Sequence, residues 1–375
     1  MSYTSQLFKV KDPFDVKNTN ELFLNAVREN CRYHFRRCAE YRQMLESRRF
    51  SPEDLISYKD IEKIPPIPTL FFKKHKIYSM PKRRHLITAT SSGTSGKFSE
   101  IGFDTSGLMC GFNMVLKIFK WRDIISSKPT NYIILGYRPH KGNKTAVTKT
   151  AFGFTFFAPA IRRTYALKFR DGKYYPDLDG VIKAIEKYGK SRFPARFIGF
   201  PSYMYFVLKI MNERGLSVKL PENSKIMLGG GWKQFYKEQT DKETLYELAE
   251  KILGIPEENI TESFGAAEHP ILYCDCKKHH FHIPAYSRVI IRDVHTLKPV
   301  KNGEVGIVNL ITPMVKATPI LSVMTDDLGV LHDGAECGCG VNSPYLEIIG
   351  RIGLRDIKTC AAGASELISG LEGIE

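Results

Sequence analysis

The segment 88–97 reads "TATSSGTSGK" and gathers hydroxyls, glycines and one lysine into a short stretch. Glycines let backbone N–H groups approach an anion closely, hydroxyls add donors, and Lys97 adds a point charge. Ser91, Ser92, Gly93, Thr94, Ser95 and Gly96 can therefore wrap a phosphate chain. The spacing is not that of a Walker loop, because Phe98 stands where a serine or threonine should follow the lysine. A second group consists of two C-x-C pairs, Cys274/Cys276 in "YCDCKKHHFHI" and Cys337/Cys339 in "ECGCG", with His279, His280 and His282 in the first stretch. Two cysteines on one turn, a histidine on the next strand and a second C-x-C turn can build a tetrahedral Zn²⁺ site. A last cysteine, Cys360, lies in "TCAAGAS", among small residues that cost little sterically. Its use depends on what the rest of the chain does.

The 375 residues suggest two or three domains, or one large domain with subdomains. A hydrophobic content of 43% suffices for a sizeable core. No apolar run approaches the ~18 residues of a membrane span. The start, "MSYTSQLFKVKDPFDV", lacks the features of a signal peptide, and close cysteine pairs suit a reducing compartment, so the chain reads as cytoplasmic. The formal net charge of +15 favours anionic partners such as nucleotides or acidic carrier proteins. The densest basic run, "FFKKHKIYSMPKRRH" (71–85), reads as a docking face for a phosphorylated ligand or acidic protein, or as solvated surface. There is no aromatic RNP motif or zinc-finger spacing, so no nucleic-acid partner is expected.

The elements that must position these residues alternate. Residues 18–49 show apolar positions at helical spacing, and Ser51–Pro52 reads as a capped helix start. "TNYIILGY", "ARFIGFP", "SKIMLGGGW" and "ENITESFGAAEH" are β-like; "DLDGVIKAIEKYG", "SYMYFVLKIMNERG" and "KETLYELAEKILG" between them are helix-like. This alternation predicts an α/β protein with mainly parallel sheets. After about residue 280, strands follow one another through turns, which predicts an antiparallel or barrel-like subdomain. In "AFGFTFFAPAI" (151–161) the alternating phenylalanines predict a strand packed on the core, or else an apolar wall for an acyl chain. "GFPSYMYFVL" can place Ser202 and Tyr203 at a helix start near a substrate carboxylate.

Five segments in order resemble the motifs of the adenylate-forming superfamily of acyl-activating ligases. "SSGTSGK" (91–97) resembles its phosphate loop, "ESFGAAEH" (262–269) its Y-G-x-T-E motif, "NGEVG" (302–306) a further landmark, "MTDDLG" (324–329) its T-G-D motif, and "GR" (350–351) its hinge. The resemblance implies the family's large N-terminal domain, with layered α/β sheets and a β-barrel-like subdomain. It also implies ATP and Mg²⁺ as cofactors. Glu268 then becomes the Mg²⁺ ligand, Asp327 the acceptor for the ribose hydroxyls, and Arg351 a donor to ribose or phosphate. Gly229, Gly230 and Gly231 admit adenine against the backbone, with Phe264, next to Gly265, or Trp232 as stacking partner. The superfamily's usual small C-terminal domain and its lysine are not expected here, because only 15 residues follow Cys360. Lys97, Lys358 or a partner protein would have to compensate.

Within the superfamily the chain resembles the LuxE-type acyl-protein synthetases over nearly its whole length, including "CAEYRQML", "DIEKIPPIPTLFFKKHKI", "GGGWK" and the tail cysteine. That resemblance implies ATP-dependent activation of a fatty or other carboxylic acid to acyl-AMP. Transfer to Cys360 follows, with Arg355 and Lys358 favouring its thiolate, and then transfer to an acyl-accepting reductase or carrier protein. By analogy with phenylacetate–CoA ligases, the Zn²⁺ ligands would be Cys276, His282, Cys337 and Cys339, with Cys274 or His280 as substitutes. The expected organisation is a helical, proline-rich region (1–85), nucleotide- and acyl-binding α/β subdomains (86–275), a mainly β subdomain (276–350), and a hinge remnant with a cysteine-bearing tail (351–375). Two other readings stay open: an aryl- or acyl-CoA ligase in which Cys360 is incidental, and a nucleotide-binding partner subunit without catalysis.

Overall fold

The computed structural model describes residues 1–91, 98–143, 145–232, 235 and 238–351. Ser92, Gly93, Thr94, Ser95, Gly96 and Lys97, and the tail with Arg355, Lys358 and Cys360, lie outside the described residues. The chain divides into two units. One comprises Met1–Ile118, Gly265–Tyr273 and the described chain from His280; the other comprises Phe119–Phe264 and Cys274–His279.

The second unit is the α/β part. Its strands lie in the spatial order Ile260–Ala266, Lys225–Gly229, Ala195–Gly199, Thr130–Tyr137, Ala160–Arg170 and Lys173–Pro176. All neighbouring pairs are parallel except the last, a hairpin. Parallel strands covered on both faces carry apolar residues continuously rather than alternately, and Thr130–Tyr137 is buried at every position but the last. Its helices read as their ends demand. Asp177 accepts from Gly180 N to start Leu178–Gly189, and Pro201 opens Pro201–Glu213. Asp241 caps Lys242–Leu253, which ends at Gly254 with φ +65°. Val181, Ile185, Met204, Leu208, Leu245 and Ala249 from these helices close over Ile133, Phe197, Ile226 and Leu228 of the sheet.

Gly199 shows how closely these strands are set. Its φ is +138°, and a Cβ there would lie 2.4 Å from Leu135 O of the paired strand. Gly199→Ala is therefore expected to cost about 3 kcal/mol, read as a lowered urea midpoint with an unchanged slope.

The first unit carries the antiparallel sheet expected after residue 280. Its order is Phe281–His282, Tyr345–Arg351, Ser322–His332, Gly306–Ile311, Arg288–Arg292, with Ile67–Pro68 added in parallel to Ser322–His332. A separate hairpin pairs Ile87–Thr90 with Glu100–Phe103.

Two local expectations are corrected. The helix anticipated over 18–49 is two, Asn20–Arg37 and Ala39–Ser47, broken at an extended Cys38 (φ −126°, ψ 110°). No glycine or proline marks the break. The second helix buries Tyr41 beside Cys31 (3.8 Å) and the His34 ring (5.6 Å), so packing sets the bend. The phenylalanine-rich stretch is not a strand: Ala146–Phe154 is a helix, and the strand begins at Ala160. Phe154 and Phe157 pack on Phe119. Phe152 and Phe156 meet edge to face at 5.2 Å, with the Arg163 guanidinium over both rings.

Candidate active site

In the first unit, the hairpin Ile87–Thr90/Glu100–Phe103 holds the two ends of the hydroxyl- and glycine-rich loop. Ser91 N donates to Ser99 O at 3.2 Å, and Ser99 N donates to Ser91 Oγ at 3.1 Å. Glu100 anchors the hairpin. It accepts from Tyr78 Oη at 2.6 Å, Lys82 Nζ at 3.0 Å and Lys76 Nζ at 3.1 Å. These bonds, the tyrosine's first, hold its carboxyl well below the usual range. Two lysines of the basic run 71–85 are thus engaged with a carboxylate beside the loop. Sequence reasoning missed Glu100 and Ser99, although both stand directly after the loop motif.

Glu268 sits on the turn that leads into the strand His269–Cys274 and is only 4% exposed. Burial raises its pKa, and Asp326 adds to this; the Ser99 hydroxyl, its own backbone N–H and Lys73 oppose it. The next residue, His269, is fully buried with Nε2 2.9 Å from Tyr273 Oη and 3.2 Å from Ser287 Oγ. Burial pushes this imidazole down to about 3, so it is neutral and fixes the strand behind Glu268. A buried carboxyl whose ionisation is disfavoured needs a cation to carry charge, which fits a hard divalent ligand.

Asp327 and Arg351, 24 positions apart by their numbering, are direct partners across the antiparallel strands Ser322–His332 and Tyr345–Arg351. Arg351 Nε lies 3.3 Å from Asp327 Oδ1, with side chains 48% and 14% exposed. A pair this exposed contributes little to stability. Its groups can turn to a ligand at small cost, the aspartate accepting from a diol and the guanidinium donating to oxygen.

The second unit presents the glycine turn. Gly229 ends the strand Lys225–Gly229, and its Cβ would meet Ser263 Oγ at 2.5 Å. Gly230 and Gly231 take φ +83° and +69°, conformations that need glycine. Trp232 is buried, its ring 5.7 Å from that of Tyr205, so it belongs to the packing. Phe264 is half-buried on the strand Ile260–Ala266. In the first unit, Gly265 is exposed, and a Cβ there would come 3.0 Å from Ile271 O. Ser202 and Tyr203 do open the helix Pro201–Glu213; Ser202 is fully buried, and its Oγ has no hydrogen-bond partner among the described residues.

Cys276, His282, Cys337 and Cys339 come together, with one ligand atom from each and all four within 4.8 Å of one another. Cys339 Sγ lies 3.2 Å from His282 Nε2, while His282 Nδ1 donates to Ser343 O at 2.7 Å. That bond places the proton on Nδ1 and leaves the Nε2 lone pair facing the thiols, as a metal-binding imidazole requires. Gly338 and Gly340 (φ +68° and +89°) shape the C-x-C turn. Of the two substitutes, His280 Nδ1 lies 3.1 Å from Cys337 Sγ, in contact with the group but outside it. Cys274 is also outside it, a buried thiol whose pKa burial raises far above the ordinary value. The donor set fits tetrahedral Zn²⁺.

Comparison with known proteins places the chain in a family. Residues 4–369 match the family model described as acyl-protein synthetase, LuxE. A long-chain-fatty-acid–luciferin-component ligase of Aliivibrio fischeri is 25% identical over 347 residues, 91% of this chain and 87% of that protein. The protein of the same name from Vibrio harveyi is 23% identical over 358 residues, 94% and 90% of the two. Among solved structures, 2-hydroxyisobutyryl-CoA ligase in the postadenylation state with 2-HIB-AMP superposes with a TM-score of 0.70 at 15% identity, over 91% of this chain and 69% of that one. Its open form with 2-HIB-AMP and CoA gives 0.69 at 15% identity, over 92% and 78%. The fold is that of the adenylate-forming ligases. No helix among the described residues is long and apolar enough to cross a membrane. With a family model matched over residues 4–369, the chain belongs to the LuxE acyl-protein synthetase family.

Proposed function

We propose that this protein activates a fatty acid with ATP and carries the acyl group on Cys360 to an acyl-accepting protein. In the first step a carboxylate oxygen bonds to the α-phosphorus of ATP as pyrophosphate leaves. In the second, the Cys360 thiolate bonds to the acyl carbon and AMP leaves. The observation that carries the reading is the pairing of Asp327 with Arg351 in the same unit as the buried Glu268, within a chain of this family.

Each residue has a role that its chemistry suits. Ser91, Ser92, Gly93, Thr94, Ser95, Gly96 and Lys97 take the phosphates, and Asp327 and Arg351 take the ribose. Gly229, Gly230, Gly231, Phe264 and Gly265 take the adenine. Glu268 holds Mg²⁺, which neutralises charge as two anions meet. Cys276, His282, Cys337 and Cys339 hold a structural Zn²⁺.

The test is intact-protein mass spectrometry after incubation with ATP, Mg²⁺ and a panel of fatty and aromatic acids. The wild type should gain one acyl group that hydroxylamine removes. Cys360→Ser should gain none while still releasing pyrophosphate. Pyrophosphate release with no adduct on the wild type, and acyl-CoA formed when CoA is added, would replace this reading with that of a CoA ligase. Neither product with any acid would leave a nucleotide-binding subunit.

A further inference from the structure

In the second unit, Tyr132, Arg196 and Lys225 stand side by side in register on the strands Thr130–Tyr137, Ala195–Gly199 and Lys225–Gly229. Side chains alternate along a strand. All three therefore leave the sheet on the face opposite Ile133, Phe197 and Ile226, which build the helix-covered core. Two cations on adjacent strands at one register position repel each other, and among the described residues neither forms an ion pair with a carboxylate.

Arg196 is 3% exposed, and its Nε and Nη1 have no hydrogen-bond partner among the described residues. It meets the Tyr132 hydroxyl, which itself donates to Ala158 O. Lys225 Nζ donates to the neutral Asn259 Oδ1 at 3.1 Å. Arg122, also buried, uses Nη2 on Ile260 O and Thr261 Oγ1, and its Nε has no hydrogen-bond partner among the described residues. The buried carboxylate near Arg122 is Asp275, 3.7 Å away, and its other oxygen already accepts from His279 Nδ1 at 2.7 Å. Burial lowers the Lys225 pKa first, and Arg196 and Arg122 lower it further. The carboxylates acting on it, Asp123 and Glu258, are exposed. A buried guanidinium with open N–H groups is costly unless something accepts from them.

We infer that Arg196, flanked by Lys225 and Arg122, binds a small inorganic anion near the start of the parallel strands. Chloride and phosphate share the chemistry: each is compact, negatively charged and able to accept from several N–H groups. The site is separate from the residues assigned to ATP. Lys225 begins the strand that Gly229 ends, so the anion and the glycine turn belong to opposite ends of that strand.

The full-length chain, dialysed into sodium gluconate at fixed ionic strength, is titrated with chloride and separately with phosphate while its unfolding midpoint is followed. The wild type should gain several degrees with a saturable dependence on at least one of the two, as for a ligand that binds only the folded state. The anion that acts at the lower concentration identifies the occupant. Arg196→Met should lose that response and be no less stable than the wild type in gluconate. Should Arg196→Met fail to fold, Lys225→Gln is expected to weaken the apparent affinity about tenfold. An equal response in the variants, as from phosphate at the nucleotide residues, would overturn the inference. So would a wild type that shows no saturable response to either anion.

Discussion

Glu268→Gln is expected to lower acid-dependent ATP–pyrophosphate exchange at least about 100-fold while leaving the unfolding midpoint near that of the wild type. The two effects separate because of where the carboxyl sits. It is 4% exposed, and burial raises its pKa from the ordinary value of 4.5. A carboxyl that holds its proton more tightly when folded contributes stability that is fully present below 4.5 and is lost as pH rises through the folded value. Glutamine has the shape of the protonated form and no such pH dependence. In the absence of divalent cation, the variant should therefore gain on the wild type in relative stability as pH rises from about 4.5. Mg²⁺ reverses this for the wild type, since a bound cation favours the ionised carboxylate. A saturable rise in midpoint with Mg²⁺ at neutral pH is expected in the wild type and not in the variant. Exchange that survives the substitution would remove Glu268 from metal binding, whatever the stability data.

How much of this was legible in the sequence varies with the range of the interactions. The parallel strands and their helices were legible because the signals are local: Asp177, Pro201, Asp241 and Gly254 punctuate the helices where the structure places them. The break at Cys38 was not, since it follows from burying Tyr41 against Cys31, and no residue at the break is a helix breaker. The phenylalanines at 152 and 156 satisfy a helical i,i+4 spacing as well as an alternating one, and the short run does not decide between periods. Asp327 and Arg351 were identified only through the family resemblance; their pairing depends on strand register, with a shift between Leu328 and Gly329. Glu100 was hidden for the opposite reason, its partners lying in the basic run that reads as surface. Arg196 lies in "ARFIGFP", where one charged residue in an apolar strand looks like an edge position; the register that sets it against Lys225 is a property of the sheet.

Removing metal from the Cys276, His282, Cys337 and Cys339 group should lower the unfolding midpoint by about 10 °C or more. Zinc bound to such a set contributes on the order of 10 kcal/mol to peptides that fold around it. A unit with a hydrophobic core of its own depends on it less, and a loss of about 3–5 kcal/mol already moves the midpoint of a large domain by that amount. The geometry argues for a site prepared for metal. His282 is committed through Nδ1 to Ser343 O, so its Nε2 has to accept, and Cys339 Sγ is 3.2 Å away. Cys276 Sγ accepts from the Lys278 N–H at 3.3 Å. Gly334 lets the second turn close down: a Cβ there would fall 2.3 Å from Ser343 O, the carbonyl that orients the histidine. The purified chain should hold one zinc per molecule by elemental analysis, and Co²⁺ exchanged into it should give the intense visible spectrum of a tetrahedral thiolate site. Cys337→Ser should lose both metal and stability. Cys274→Ala, which removes a buried thiol outside the group, should keep the metal and pay only the smaller cost of a small cavity. If the two variants retain equal zinc, or if the wild type carries none after purification with Zn²⁺ present, the four residues are a packed cluster of reduced thiols and an imidazole. The Cys339 Sγ–His282 Nε2 contact would then be an ordinary hydrogen bond from thiol to imidazole, and chelators should leave the midpoint unchanged.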